Sequence, residues 1–303
     1  MKHIPYGGQK IESGEARIVS KSLLKKLITS GPSVKKFEKK IINFLGCKYA
    51  SVCNSGTSAL FLAMKGLGIK KNDVILMPSV NFISSYNIAK ILGAKVFLTD
   101  VDKFTGQVTP HHIDECCKKY KLKKFDLLIV MYNGGYPLNA YNFVHIKKKY
   151  KCNILEDACH ALGAEYFYNN KTVKIGSCSH SDISIFSLHP LKSITTGEGG
   201  VVTTNSKKID KLIKLFRSHG IIRNKKKHWE YDVLHHSMNF RLTDFQCELG
   251  MSQLSKIKKF ISKRKKIADY YEKKLKNFSK YVHIQTKYKN YKPAYHLILM
   301  NLK

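Results

Sequence analysis

Lys192 has the sequence surroundings of a lysine that acts as a nucleophile. An apolar run leads into Ser187, hydroxyl side chains flank the lysine, and a glycine-rich stretch at 197–200 precedes another apolar run. A lysine amine attacks carbonyl groups when its neighbours desolvate it, because the neutral form then becomes accessible. Glycines let the backbone approach a bound ligand closely. The alternative is a surface lysine in a β-turn, although this lysine stands apart from the lysine clusters that fill much of the chain.

A second group of residues lies at the end of the predicted strand at 154–156. Asp157 stands at the end of that strand, and small residues and His160 come next. A carboxylate at the carboxyl end of a strand can hold a heteroaromatic nitrogen protonated, which makes the ring an electron sink. The alternative for Asp157 is a cap on the next helix. His160 can pack on a ring or hydrogen-bond to it, and the alternative is a structural histidine.

Two polar turns supply candidate anion-binding groups. The first contains Thr57 and Ser58 and opens an apolar helix, whose exposed amides and dipole favour a phosphate. An ordinary helix cap by Ser55 or Thr57 explains the same residues. The second turn contains Asn239 and Arg241, which are suitable donors to phosphate or carboxylate. Its alternative is a junction between domains with solvated polar groups.

These residues need a framework that brings them together, and the hydrophobic pattern predicts one. Apolar, β-rich runs alternate with helical patterns, which indicates an α/β fold with a largely parallel sheet. Ligands of such sheets bind outside the carboxyl ends of the strands. The predicted strands are 74–77, 96–99, 127–131, 154–156, 183–186 and 201–203, and the predicted helices are 34–44, 58–66, 84–92, 113–120, 142–150 and 207–216.

The pattern changes after residue 243. Residues 244–276 predict one or two long helices, and strand-like pieces follow at 282–284 and 295–302. We therefore expect two packed lobes, a large domain at 1–242 and a small C-terminal domain at 243–303.

Composition excludes several classes of protein. The 303 residues include 43% hydrophobic residues, which is ordinary for a globular protein, and no run is long enough to span a bilayer. The N-terminus lacks the apolar core of a signal peptide, and the eight cysteines show no C-x-x-C spacing. We therefore expect a cytoplasmic protein with reduced thiols, no membrane partner and no metal site.

The formal charge of +33 raises the question of a nucleic-acid partner. Almost all of the positive charge is lysine dispersed along the chain, and only five arginines are present. No base-stacking or helix-turn-helix pattern accompanies it. We therefore expect no nucleic-acid partner, although the field would help to attract a nucleotide diphosphate.

Taken together and in this order, the motifs resemble the DegT/DnrJ/EryC/StrS family of sugar aminotransferases. The similarity runs through residues 4–7, 30–34, 37–38, 54–60, 156–163, 186–200, 217–220 and 239–244. The resemblance implies the aspartate-aminotransferase fold (fold type I of pyridoxal-phosphate enzymes), with a large domain of mostly parallel mixed sheet flanked by helices and a small C-terminal lobe. In the family, several tens of residues follow the strand at 295–297, so we expect the small lobe to be incomplete here.

The resemblance also implies the cofactor and the role of each residue. Lys192 matches the lysine that carries pyridoxal 5'-phosphate as a Schiff base and then moves the proton, and Asp157 matches the partner of the pyridine nitrogen. The remaining cofactor contacts are Thr57, Ser58 and Ser187 to the phosphate, Phe82 stacked on the ring, His160 near its other face or hydroxyl, and Asn239 from the neighbouring subunit of a homodimer.

The implied reaction moves an amino group from an amino acid, expected to be glutamate, to a ketosugar nucleotide. Residues 195–200 resemble members that aminate C4 of a 4-keto-6-deoxy sugar. Residues 157–166, 176–182 and 229–231 are most similar to transaminases that form UDP-4-amino-4,6-dideoxy-N-acetyl-β-L-altrosamine for pseudaminic acid. Residues 131–137 depart from the family pattern on the sugar side. The alternatives are a GDP-perosamine synthase type of enzyme, a non-catalytic descendant that binds cofactor or sugar nucleotide, and a nucleic-acid binder.

Overall fold

The computed structural model describes residues 7–224, 226–227, 229–284 and 287–302. Residues 4–6 of the first motif and Lys303 therefore lie outside the described residues. The helices are α1 Ser13–Leu23, α2 Pro32–Leu45, α3 Gly56–Gly66, α4 Ser84–Ile91, α5 Pro110–Lys119, α6 Phe143–Tyr150, α7 Lys207–Phe216, α8 Asp244–Ser255 and α9 Ile257–Leu275. Short 3₁₀ helices cover Asn133–Gly135 and Lys276–Phe278.

The strands are β1 Tyr49–Cys53, β2 Val74–Pro78, β3 Lys95–Thr99, β4 Leu127–Met131, β5 Asn153–Asp157, β6 Glu165–Tyr168, β7 Lys171–Lys174, β8 Ile183–Ser187, β9 Gly200–Thr204, β10 Ile221–Arg223, β11 Tyr231–Val233, β12 Val282–Ile284, β13 Tyr291–Lys292 and β14 Met300–Leu302. Seven of them form the main sheet, in the order β1-β9-β8-β5-β4-β2-β3. Smaller sheets contain β10-β11, β12-β14 and β13-β6-β7.

The main sheet is parallel from β3 to β8, and β9 is antiparallel to both of its neighbours, β8 and β1. The predicted α/β fold with a mostly parallel sheet is confirmed, and so are its six strands and six helices. Strand β1 and the hairpin of β6 and β7 were not predicted. The carboxyl ends of β2, β4, β5 and β8 meet at one edge of the sheet, where ligands of such sheets bind.

Alternate residues of the central strands enter two hydrophobic clusters. On β4, Leu128 and Val130 pack in one cluster, whereas Leu127 and Ile129 pack in the other. Because successive side chains of a strand point to opposite faces, one cluster lies on each face of the sheet. Burial on both faces accounts for the continuous apolar run at 127–131.

Two motifs that are distant in the sequence, 30–34 and 239–244, are joined by hydrogen bonds at the start of α2. Gly31 is the cap residue, and the carboxylate of Asp244 accepts hydrogen bonds from the amides of Gly31 (2.7 Å) and Ser33 (2.9 Å). Asp244 is fully buried and opens α8, where Thr243 and Gln246 form a capping box. A carboxylate at a helix N-terminus is also favoured by the helix dipole. The contact ties the N-terminal part of the chain to α8.

The C-terminal segment has less strand than predicted. The region at 244–276 contains two helices, α8 and α9, and 282–284 is a strand as expected. Residues 295–299, however, are not strand, and β14 begins only at Met300. The amides of Ala294 and His296 donate to the carbonyls of Gly135 and Gly134, and Tyr295 has a φ of 52°. These hydrogen bonds to two glycines replace the regular hydrogen bonding of a β-strand in this segment. The division at residue 242 stays a prediction.

None of the helices in the described part of the chain is both long enough and apolar enough to cross a membrane. Within the same residues, no three His, Cys, Asp or Glu side chains come together as a metal site would require. All eight cysteines are unpaired.

Candidate active site

A cavity of about 1160 Å³ opens at the edge where the parallel strands end. Loops that follow β1, β2, β5 and β8 contribute to its wall, together with α9 and the segment 295–298. The wall includes six of the eight residues to which the family resemblance assigned a cofactor role: Thr57, Phe82, Asp157, His160, Ser187 and Lys192. These side chains come from distant parts of the chain, so only the order of strands in the sheet brings them together.

Asp157 occupies the last position of β5 and is only 3% exposed. Its carboxylate accepts hydrogen bonds from the Ser85 hydroxyl (3.2 Å) and from the amide of Cys159 (3.3 Å). Burial raises the pKa of Asp157, whereas the bonds from Cys159, the positive charge of Lys192 and the bond from Ser85 act in the opposite direction. A cationic N–H donor in the cavity would stabilise the ionised form of this carboxyl group.

Lys192 lies in the loop between β8 and β9, and its backbone is held on both sides. Its amide donates to the carbonyl of His189 (2.9 Å), and its carbonyl accepts from Nη2 of Arg264 (3.0 Å). No described residue accepts a hydrogen bond from its ε-amino group or pairs with it within 4.0 Å. Because Lys192 lines the cavity on a fixed backbone, its unpartnered amine is available to a ligand there.

The N-terminus of α3 meets the end of β8 beside this lysine. Ser55 caps the helix by accepting from the amide of Ser58 (3.0 Å), and the amides of Gly56 and Thr57 have no acceptor among the described residues. A Cβ atom added to Gly56 would lie 2.9 Å from the Cβ atom of Ser187. Glycine is therefore required for this close approach, which places the Ser187 hydroxyl beside two free amides in the arrangement of a phosphate site.

Aromatic rings line two other parts of the cavity. Phe82 follows β2 and, at 71%, is the most exposed phenylalanine among the described residues. His160 follows Asp157, and its ring centroid lies 4.2 Å from that of His296. Burial, followed by the charge of Lys192, lowers the pKa of His160 to about 3. His160 is therefore neutral at physiological pH, and its buried Nδ1 has no partner among the described residues.

Ser58 and Asn239 do not line this cavity. The Ser58 hydroxyl is bonded within its own turn, to Asn54 (2.6 Å), and the residue is only 7% exposed. Asn239 is exposed, its side chain accepts from the amide of Arg241 (3.1 Å), and its carbonyl accepts from Asn54. The expected role of Asn239 concerns a second subunit and stays a prediction, as does the phosphate contact of Ser58.

The sequence reasoning did not identify two residues of the site, Arg264 and His296. Arg264 projects from α9 and contacts both Lys192 and His296, with 3.2 Å between its Nη1 and the imidazole Nδ1. Burial, followed by the charges of His160, Lys192 and Arg264, lowers the pKa of His296 to about 2. The rarity of arginine in this lysine-rich chain was the one available indication for Arg264.

Comparison with known proteins agrees with this geometry. The family model for the DegT/DnrJ/EryC1/StrS aminotransferase family matches residues 9–303. The UDP-4-amino-4,6-dideoxy-N-acetyl-beta-L-altrosamine transaminase of Campylobacter jejuni is 38% identical over 292 residues, which are 96% of this chain and 74% of that protein. The GDP-perosamine synthase of Escherichia coli O157:H7 is 32% identical over 95% of this chain and 75% of that protein.

A solved structure shows the same architecture. PseC of Helicobacter pylori, an aminotransferase involved in the biosynthesis of pseudoaminic acid, superposes with a TM-score of 0.89 at 28% sequence identity. The match covers 100% of this chain and 78% of that one. It confirms the predicted fold type I architecture. The family model and the relatives' identity over most of the chain confirm the predicted kinship: this protein belongs to the DegT/DnrJ/EryC1/StrS aminotransferase family.

Proposed function

We propose that this chain transfers an amino group from glutamate to C4 of a UDP-linked 4-keto-6-deoxy sugar, using pyridoxal 5'-phosphate. The product would be UDP-4-amino-4,6-dideoxy-N-acetyl-β-L-altrosamine, a precursor of pseudaminic acid made in the cytoplasm. The observation that carries this proposal is the meeting of Lys192, Asp157 and the α3 N-terminus in one cavity, in a chain whose relative with that activity is 38% identical.

The described residues fit this cofactor on three sides. Two free amides at the start of α3 and the Ser187 hydroxyl suit a phosphate, and the buried Asp157 suits a pyridinium N–H. The exposed ring of Phe82 suits a face of an aromatic ligand, because stacking would cover its apolar surface. Once bound, the cofactor supplies an electron sink that stabilises negative charge on the substrate carbon.

The protein's own groups then have distinct tasks. Asp157 keeps a proton on the ring nitrogen, because an ionised carboxylate beside it raises the pKa of that nitrogen. Lys192 would hold the cofactor through its amine and, once free, would move a proton between the substrate carbon and the cofactor carbon. The neutral His160 can pack on the ring or hydrogen-bond to it without adding a positive charge.

The experiment that tests the function has two stages. The purified chain is mixed with pyridoxal 5'-phosphate, and its visible spectrum is recorded before and after addition of glutamate. A band of lysine-bound cofactor that disappears with glutamate establishes amine acceptance. The amine-loaded enzyme is then offered UDP- and GDP-linked 4-keto-6-deoxy sugars, and recovery of the band with one of them identifies the acceptor.

A GDP-linked acceptor is the second candidate, since the Escherichia coli GDP-perosamine synthase is 32% identical. Recovery of the band with the GDP sugar alone would replace the UDP assignment. A chain that takes up cofactor but neither bleaches with glutamate nor turns over would contradict the enzymatic proposal and favour a non-catalytic binding role.

We also propose that the active form is a homodimer with shared sites, in which Asn239 contributes to the partner's phosphate site. The exposure of Asn239 outside its own cavity supports this arrangement. A mixture of the Lys192→Ala and Asn239→Ala variants tests it, because a mixed dimer would contain one intact site. Recovery of activity on mixing is the expected result, whereas a mixture no more active than its components would contradict site sharing.

A further inference from the structure

Arg264 brings a positive charge into the wall of the cavity without an acidic partner. Within the described part of the chain, its guanidinium has two hydrogen-bond partners, the carbonyl of Lys192 and the imidazole of His296. Among the described residues, no carboxylate lies within 4.0 Å of it. Of the described residues, two acids line the cavity, Asp157 and Glu198, and neither forms a hydrogen bond or ion pair with Arg264. Burial lowers the pKa of Arg264, and no neighbouring acid offsets that cost.

The two contacts fix the direction of the guanidinium without neutralising it. One acceptor is a peptide carbonyl and the other is an imidazole that is neutral, because burial lowers its pKa to about 2. A guanidinium has five N–H donors in one plane, so three remain after these two bonds. A buried cation with free, planar donors is the group that proteins use to bind a carboxylate through two hydrogen bonds.

We propose that Arg264 binds the α-carboxylate of the amino donor. This inference rests on the proposed function, in which an amino acid and a ketosugar nucleotide use the same cavity in turn. The guanidinium is bonded to the peptide of Lys192, so a carboxylate held there places the adjacent α-carbon beside the lysine that moves its proton. The ketosugar nucleotide has a diphosphate but no carboxylate, and the diphosphate is attached on the far side of the sugar ring from the reacting C4. A guanidinium beside Lys192 therefore acts on the donor, in the first half of the reaction.

The competing explanation is that Arg264 only positions Lys192 through the carbonyl bond. The two explanations predict different kinetics. A positioning role would slow both half-reactions, because Lys192 moves a proton in each of them. A carboxylate site would weaken the capture of the donor and leave the reaction of the amine-loaded enzyme with the ketosugar unchanged.

The test compares Arg264→Gln and Arg264→Lys with Lys263→Gln, which removes a charge from the adjacent, exposed position of α9. Stopped-flow absorbance of the cofactor-loaded protein gives the glutamate dependence of the first half-reaction and the rate of the second. We expect Arg264→Gln to raise the apparent Kd for glutamate roughly ten- to hundredfold. Arg264→Lys should give a smaller increase, and Lys263→Gln and the second half-reaction should change less than about twofold.

Calorimetric titration with glutarate, a dicarboxylate without an amine, separates this inference from the proposed function. Glutarate should bind the wild-type protein and Lys263→Gln equally and bind Arg264→Gln at least about tenfold more weakly. If no cofactor band forms, the proposed function fails, but loss of glutarate binding in Arg264→Gln would still establish a carboxylate site. Equal glutarate binding by wild type and Arg264→Gln, or equal slowing of both half-reactions, would overturn the inference.

Discussion

Glu156 and Asp157 are neighbours on β5 and carry buried carboxyl groups to opposite faces of the sheet. Glu156 accepts hydrogen bonds from the hydroxyls of Tyr132 (2.8 Å) and Ser184, both inside the protein. Asp157 lines the cavity and retains room for a ligand. Burial raises the pKa of both carboxyl groups. The hydrogen-bond partners of Glu156 all come from the chain itself, whereas Asp157 also has room for a partner supplied by a ligand.

The same contrast separates two of the five arginines. Arg217 is ion-paired with Glu38 and donates to the carbonyl of Val52 (2.9 Å), in a pair whose side chains are only 16% and 11% exposed. Arg264 has no such acid among the described residues. Since an unpaired buried charge is costly, the protein retains it where a ligand supplies the missing partner. Arg217 has its counter-charge within the chain, whereas the charge of Arg264 is available to a ligand in the cavity.

Lys192→Ala should give the largest effect, because it removes both the attachment of the cofactor and the proton carrier. We expect transamination to fall by more than about 10³-fold, whereas the free energy of unfolding should change by less than about 0.5 kcal/mol. Turnover assays and urea denaturation of the same preparation measure the two quantities. Turnover close to that of the wild type would refute the assigned mechanism.

Glu38→Gln should have the opposite profile. It leaves Arg217 buried without a counter-charge, which typically costs about 3–5 kcal/mol of unfolding free energy. Activity per folded molecule should stay close to that of the wild type, because neither residue lines the cavity. Urea denaturation of Glu38→Gln and Arg264→Gln in parallel sharpens the comparison. The Arg264→Gln substitution removes an uncompensated charge and should not destabilise the fold. Equal destabilisation by both substitutions would break the contrast between the two arginines.

Asp157→Asn, compared with Glu156→Gln, tests the two faces of β5. The amide at position 157 cannot hold the ring nitrogen protonated, so the rate should fall roughly 10²- to 10³-fold. The amide at position 156 still accepts a hydrogen bond from one of its hydroxyl neighbours, so only about 1 kcal/mol of stability should be lost. Steady-state rates and urea denaturation of both variants check this. Similar rate losses at the two positions would remove the functional distinction.

His296→Asn should give the smallest effect, a change in pH dependence. The folded pKa of His296, about 2, lies below the unfolded value of 6.5, so the unfolded chain binds more protons as the pH falls through 6.5. The wild-type protein therefore loses stability below pH 6.5, by up to about 1.4 kcal/mol per pH unit for each such histidine. Denaturation between pH 7 and 5 should show a shallower loss in His296→Asn. An unchanged slope would mean that His296 is readily protonated in the folded state.

The sequence predicted the main sheet well because its strands are short apolar runs between long helical patterns. It missed β1, which lies next to an antiparallel strand, and the hairpin of β6 and β7, which is polar and half exposed. It also extended the last strand back to residue 295, where the backbone instead docks on Gly134 and Gly135. Periodicity does not record such a contact, because the partner glycines lie far away in the chain.

For the site, the sequence by itself determined which residue types were present and in what order: a lysine after β8, an acid at the end of β5, and a polar turn before α3. Local hydrophobic pattern and glycine content suffice for this, since each motif spans only a few residues. Only the tertiary structure decided that Arg264 and His296 join them and that the Ser58 hydroxyl is bonded within its own turn. The physical reason is that packing between segments distant in the sequence brings α9 to the cavity wall. The charge of Arg264 becomes informative only once its burial, and the absence of an acid near it among the described residues, are known.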